Sequence, residues 1–353
     1  MKPKSNKPQP FLANIRVRTL WWSLSLCALL GVDVSPSKAC SVVAGAPGSE
    51  ILGGNYDWHA RGGIAFLSPR GQVKFPKAHP SKKTHANVTW TSQYASLTLS
   101  QFGRDYPMQG INEKGLAGMV LMGPSAYPRE GAAGVIGENI WLQYQFDMFA
   151  TVAEVAEHVR DFGIKKISAD LHWFICDAGG ECMVVEFING SAVVYRGADL
   201  TIKALTNTSY ANALSQYLSW ERSQTVLPSG YNSVARFIRL AADHGPDSRE
   251  KVASQLDDVA KSGFTAWQTV FSLGTASFRV RLSGDIWQDI SFDNHDLSCS
   301  SQQLMLHLSK KTWQPYDAQI VRILLKHAVS GIPESEARAI ADAVDQSERV
   351  VCR

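Results

Sequence analysis

Several things are missing from this sequence, and each absence removes a class of function. Basic charge is not concentrated on the body of the chain: the formal net charge is +3, and Lys2, Lys4, Lys7, Arg16 and Arg18 all fall within the first eighteen positions. Nucleic-acid binding needs a dense basic face, so there is no electrostatic case for that partner. The nine histidines form no HExxH and no Cys/His cluster, so they show no metal-ligand spacing. There is no GxSxG, no Walker loop, and no Rossmann glycine pattern followed by the right acid. After residue 40 no apolar run reaches the roughly 20 residues of a membrane span, and no repeat or low-complexity tract occurs. What remains is ordinary globular composition, 45% hydrophobic and 19% charged over 353 residues, enough for a sizeable core.

The N-terminus has the layout of a secretory signal. Five positive charges without an acid precede the apolar stretch LWWSLSLCALLGV (20–32), and DVSPSKA then places small residues, Ser37 and Ala39, at −3 and −1 of a cut before Cys40. The alternative is a retained anchor, for which the apolar run is short. The expectation is a cleaved signal over 1–39 and a single exported domain over 40–353, periplasmic or secreted.

Cysteine is scarce, and its count is informative. Cys27 would leave with the signal, so five remain, an odd number in an oxidising compartment. Cys176 and Cys182 flank the turn DAGGE and could bridge a hairpin; Cys299 and Cys352 could tether the C-terminus; Cys40 is then left over. Sequence does not fix this connectivity.

Short apolar runs between Gly, Pro and Asn predict strands in CSVVAG, ILGGNYDW, GIAFLSP, TWTSQYASLTLSQFG and GLAGMVLMG. Residues 151–163 predict an amphipathic helix opened by a Thr151–Glu154 capping box. Residues 171–197 read as three strands joined by two turns, and 265–292 as a β-meander. Further helices are expected at 208–222, 233–243, 247–261 and 333–346. Strands, helices and strands in one uninterrupted pattern suggest sheets packed between helix layers.

Cys40 is the first chemical candidate. Uncovered by a cut, it would carry a thiol and a free α-amine, whose unperturbed pKa of about 7.7–8.0 suits it to take the thiol proton near neutrality. On spacing alone a buried or disulfide-bonded cysteine is the plainer reading. A lipid anchor is a third, against which Ser37 stands where an apolar residue is usual. Asp57, in GGNYDW, could hold a terminal amine by a charge-assisted hydrogen bond, or be a turn aspartate. Asn207, in LTNTSY, could donate to a developing oxyanion, or cap a helix; it is also an N-x-[ST] acceptor, as is Asn87. Arg236 and Arg239, in YNSVARFIR, lie one helical step apart, so one could face inward while the other stays solvated.

The terminal Cys, N-x-D-W, the GINEKGL turn, the hairpin LHWFICDAGGECMVVEF, LTN and ARFIR, in this order, resemble the choloylglycine hydrolase family. This family is the cysteine branch of the N-terminal-nucleophile hydrolases, including bile salt hydrolases and penicillin V acylases, and the likeness runs from 40 to about 295. The resemblance implies an α+β fold, a four-layer αββα sandwich. It implies cleavage of linear, non-peptide amides of N-acyl compounds such as penicillin V, conjugated bile salts or N-acyl homoserine lactones. By position, Cys40 matches the nucleophile, Asp57 the acid that orients its amine, Asn207 an oxyanion donor and Arg236 the arginine supporting the nucleophile. The second oxyanion donor is a backbone N–H that falls near Met122. Trp58, Phe66, Met122 and Tyr127 are acyl-pocket candidates by neighbourhood, with core packing as the alternative. No metal or cofactor is required, and the partner is a small-molecule amide.

Two departures stand out. Gly54 occupies the place of a usual arginine, removing a cation that would lower the thiol pKa and leaving Arg61 or Arg236 to compensate. The connection between Asn207 and Arg236 lacks the long excursion of the bile-salt branch that helps subunits assemble, so the chain looks closer to the exported Gram-negative penicillin V acylase-like branch, with homo-oligomerisation left open. Gly54 also keeps a competing reading alive, a non-catalytic exported ligand-binding protein on the same scaffold; a Cys40-anchored lipoprotein is the other.

Overall fold

A computed structural model describes residues 40–75, 88–243, 245–347 and 350–353, with 343–347 described by backbone alone. The expected signal, Cys27 and Asn87 lie outside them.

Two antiparallel sheets carry the fold. The smaller has six strands, in spatial order Ala204–Leu205, Ser41–Ala44, Ile51–Asp57, Thr265–Ser272, Ser277–Leu282 and Gln288–Ile290. The larger has nine: Ser191–Arg196, Cys182–Ile188, Leu171–Cys176, Ala117–Met122, Gln109–Asn112, Ser96–Ser100, Ile64–Ser68, Leu304–His307 and Trp313–Pro315. Leu171–Cys176, Gln109–Asn112, Ser96–Ser100 and Ile64–Ser68 are buried at every position because both faces of the sheet are covered there. Side chains alternate: Ala117, Met119 and Leu121 join the core shared with Val42 and Cys40, whereas Val120 joins a second core with Trp141 and Val155. The first core thus fills the space between the sheets. The helices Tyr210–Ser223, Ser233–Ala242 and Arg249–Val259 cover the outside of the six-stranded sheet. Trp141–Met148, Val152–His158 and Ala318–Ala328 cover the outside of the nine-stranded one. This is the four-layer αββα sandwich.

Gly53 and Gly54 show how the layers close on the nucleophile strand. A Cβ on Gly53 would meet Leu256 at 3.1 Å on the helix side, and one on Gly54 would collide with the Met119 sulfur and lie 2.7 Å from its methyl on the other. The glycine pair lets a helix and the opposite sheet approach the same strand from its two faces.

Disulfides join Cys176 to Cys182 and Cys299 to Cys352, leaving Cys40 free. Among the described residues no helix is long and apolar enough to cross a membrane.

Candidate active site

Cys40 directly precedes the strand Ser41–Ala44, which pairs with Ile51–Asp57 in the register Ser41 opposite Asn55. One step further puts Cys40 opposite Tyr56, so its main-chain nitrogen lies toward Asp57. The Cys40 thiol is buried and sits 3.8 Å from the Asp57 carbonyl oxygen, to which it donates. Burial pushes this thiol up to about 12, and the neighbouring Asp57 charge acts in the same direction.

The Asp57 carboxyl is itself buried, and neither of its oxygens has a hydrogen-bond partner. Burial raises its pKa to about 7, opposed by Thr265, Arg236 and Lys261. Thr265 faces Asp57 across the strands, and its hydroxyl accepts from the Lys261 amide at 2.9 Å. Accepting there leaves the Thr265 hydroxyl proton uncommitted, and its nearness opposes the rise although neither carboxyl oxygen has a partner within hydrogen-bonding geometry.

Arg236 is fully buried on the helix Ser233–Ala242, which opens on an Asn232 cap. Its guanidinium donates to the Cys40 carbonyl at 2.6 Å, to Ser41 Oγ at 2.6 Å, to Asn207 Oδ1 at 2.8 Å and to the Tyr231 carbonyl at 3.1 Å. Burial lowers its pKa, and Asp57 and Cys40 pull it back up. Arg239 turns outward to the Asp258 and Gly230 carbonyls. The two arginines divide as their spacing suggested, with the inward one bonding to carbonyl, hydroxyl and amide oxygens.

Because Arg236 takes its oxygen, the Asn207 amide has its nitrogen turned the other way, donating to the Met122 carbonyl at 2.7 Å. One Nδ2 hydrogen is used there and a second remains. Thr206, the preceding residue, ties this segment to the helix start through Ser233 O at 2.9 Å and Ser233 Oγ at 2.8 Å. The Met122 N–H also has a defined direction. Gly123 N donates to Asp170 O and Val120 N to Met108 O, so strand alternation turns the Met122 N–H to Val120's side, beyond the paired stretch Gln109–Asn112.

The fold brings Cys40, Asp57, Asn207, Arg236 and Met122 together. It separates the pocket candidates. Trp58 is half-buried against the inter-sheet core, with its indole N–H on the Ala328 carbonyl at 2.8 Å and its ring edge on Phe102. Phe66 is fully buried in the outer core, on the sheet face turned away from Cys40, because it alternates with Ala65 and Leu67 along its strand. Tyr127 belongs to that outer core as well, its hydroxyl holding Ala169 O at 3.0 Å and Leu171 N at 2.6 Å. Of the two readings the sequence left for these residues, acyl-pocket wall or core packing, the placement of both is that of packing residues. Arg61 is exposed, and Met119 fills the space over Gly54. Ser41 and Thr206 were missed; a small hydroxyl beside a candidate residue is too common to read from sequence.

Comparison with known proteins agrees with the fold. A penicillin V acylase of Pectobacterium atrosepticum is 29% identical over 176 residues, 44% of this chain and 46% of that protein. A bile salt hydrolase/transferase of Clostridium perfringens is 28% identical over 188 residues, 43% and 56% of the two. The chain spans about half the length of these curated relatives. Among solved structures, a penicillin V acylase from Agrobacterium tumefaciens has a TM-score of 0.66 at 23% identity, over 79% of this chain and 98% of that one. The R18L variant of the Clostridium perfringens conjugated bile acid hydrolase gives 0.62 at 19%, over 79% and 97%. At these identities the likeness shows the fold, the αββα sandwich described above. The profile of the family matches residues 42–245, more than half of the sequence, and the chain belongs to the linear amide C–N hydrolases of the choloylglycine hydrolase family.

Proposed function

We propose that this chain, exported and cut before Cys40, hydrolyses the amide bond of an N-acyl compound with the Cys40 thiol as nucleophile and its α-amine as base. The observation that carries this is the Asp57 carboxyl, buried beside Cys40 with both oxygens unpartnered. A buried carboxylate without donors is costly. The cut would supply the missing donor, an ammonium at the Cys40 nitrogen. That positive charge would also lower the thiol pKa, so the buried thiol of the uncut chain is dormant and processing awakens it.

That ammonium forms as the neutral α-amine takes the thiol proton, and the Sγ thiolate then attacks the substrate carbonyl carbon. The oxyanion is stabilised by the second Nδ2 hydrogen of Asn207 and the Met122 N–H, with Arg236 fixing the amide orientation. The intermediate expels the amine, which leaves with the proton held by the α-amine. Water, deprotonated by the same amine, cleaves the thioester. The apolar edge of Trp58 and Phe102 suits an acyl chain. The names of the relatives support penicillin V or a conjugated bile salt as the substrate class, and the sequence resemblance adds an N-acyl homoserine lactone.

The test compares the wild type with Cys40→Ser on penicillin V, glycocholate and a long-chain acyl homoserine lactone, with the mass of the mature chain measured in parallel. Hydrolysis of one substrate by a species beginning at Cys40, and its loss in the variant, is expected. Full activity in Cys40→Ser, or in a chain retaining residues 1–39, would refute it. A wild type inert to all three whose Cys40 also resists iodoacetamide would point to the ligand-binding reading, and diacylglycerol on Cys40 to the lipoprotein.

A further inference from the structure

Behind the oxyanion donors lies a buried ionisable pair that the proposed reaction does not use. His172, on the strand Leu171–Cys176, and Glu186, on Cys182–Ile188, are both 0% exposed, with His172 Nδ1 3.0 Å from Glu186 Oε1. Two such groups in an apolar core are expensive unless their geometry serves something. Each also touches a segment that carries an oxyanion donor. Glu186 Oε1 accepts from the backbone N–H of Tyr210 at 2.9 Å. Tyr210 opens the helix Tyr210–Ser223, whose N-cap residue Ser209 makes no side-chain cap bond, and it stands three residues after Asn207. The Glu186 carboxylate therefore caps this helix start from across the fold. The far edge of the His172 ring lies against Gly123, directly after Met122: a Cβ there would come within 2.6 Å of His172 Nε2.

We infer that His172 and Glu186 are positioning residues for the oxyanion hole. One holds the backbone after Met122 and the other the helix start after Asn207, so the hydrogen bond between them fixes the spacing of the two donors. This rests on the thiol reading above. His172 Nε2 and Glu186 Oε2 have no partner, so the linkage passes through the single Nδ1–Oε1 contact, and its loss is not shared out among others.

Two reagents separate this role from general stability. p-Nitrophenyl acetate acylates a thiol through a tetrahedral oxyanion: the S–C bond forms and p-nitrophenolate leaves. Iodoacetamide alkylates it by direct displacement of iodide, with no oxyanion. In the mature full-length protein, His172→Gln and Glu186→Gln should slow acylation of Cys40 by about tenfold or more, the scale of a misplaced donor. Alkylation should stay within about twofold of wild type. Gly123→Ala, which pushes on the ring, should change the ratio in the same way and should not add to His172→Gln in the double variant. Equal loss of both rates, or no change in either, overturns the positioning role while leaving the thiol reading intact. A wild-type Cys40 inert to both reagents sinks the thiol reading and this inference with it.

Discussion

Asp57 is the residue on which the site turns, and its ionisation gives a stability signature. In the uncut chain its pKa is about 7, raised by burial above the roughly 3.9 of an unfolded aspartate. The folded chain therefore keeps a proton that the unfolded chain has released across this window. Its contribution is fully present below about pH 4 and disappears as pH rises through 7. A chain with an intact peptide bond before Cys40 should lose melting temperature steadily from pH 5 to pH 7.5, and Asp57→Asn should flatten that slope. The cut chain should also be flatter, because an ammonium beside the carboxylate draws its pKa down. Calorimetry across the range checks this; identical slopes in all three forms would mean that Asp57 does not sense the Cys40 nitrogen. At this scale the sequence named residues that the fold brings together where a type is rare or its spacing characteristic: Cys40, Asp57, Asn207 and the inward Arg236. Phe66 was not legible in this way, because an aromatic on a strand can point to either face and only the phase of the alternation decides, nor was Tyr127, which lies between strands and packs through hydroxyl bonds to distant Ala169 and Leu171.

Elements were readable in proportion to their periodicity. The helix Val152–His158 has the expected Thr151–Glu154 capping box, and the strands from 171 to 196 and 265 to 290 fall where the apolar runs and turns put them. The helix Trp141–Met148 had no such signal: it buries Gln143, Gln145 and Asp147 as completely as its aromatics, so no polar face marks its period. No helix is read from the sequence over Ala318–Ala328, although Asp317 caps it. The strands Leu304–His307 and Trp313–Pro315 are short edge additions, silent until the sheet is seen. The departure at Gly54 is also settled between elements, since the facing strand has filled the gap with Met119. Gly54→Arg should therefore destabilise by about 1–3 kcal/mol through overpacking and gain no activity. Adding Met119→Ala should recover part of that stability in urea unfolding. If Gly54→Arg alone is neutral, the two positions are not packed as one unit.

Over the whole molecule, the C-terminal segment is bound into the fold at two levels. Leu304–His307 pairs with Ile64–Ser68 and extends the nine-stranded sheet, and Cys352 is bonded to Cys299 while Val351 pairs with Val73. This disulfide closes a loop of 53 residues that contains two sheet strands and two helices. A cross-link over that length lowers the entropy of the unfolded chain by about 4 kcal/mol in free-energy terms. The Cys176–Cys182 bond closes only 6 residues at a hairpin already paired in register, and the same relation gives it about 2 kcal/mol. Neither bond touches Cys40, so the consequences for stability and for catalysis separate. Cys299→Ser with Cys352→Ser should cost about 4 kcal/mol in guanidinium unfolding, with the rate of Cys40 alkylation unchanged below the transition. Cys176→Ser with Cys182→Ser should cost about half as much. If instead the C-terminal pair is neutral and the hairpin pair severe, the tail contributes nothing to holding the sandwich closed, and the stability of the fold resides in the packing of the hairpin's sheet against the sheet of the nucleophile strand.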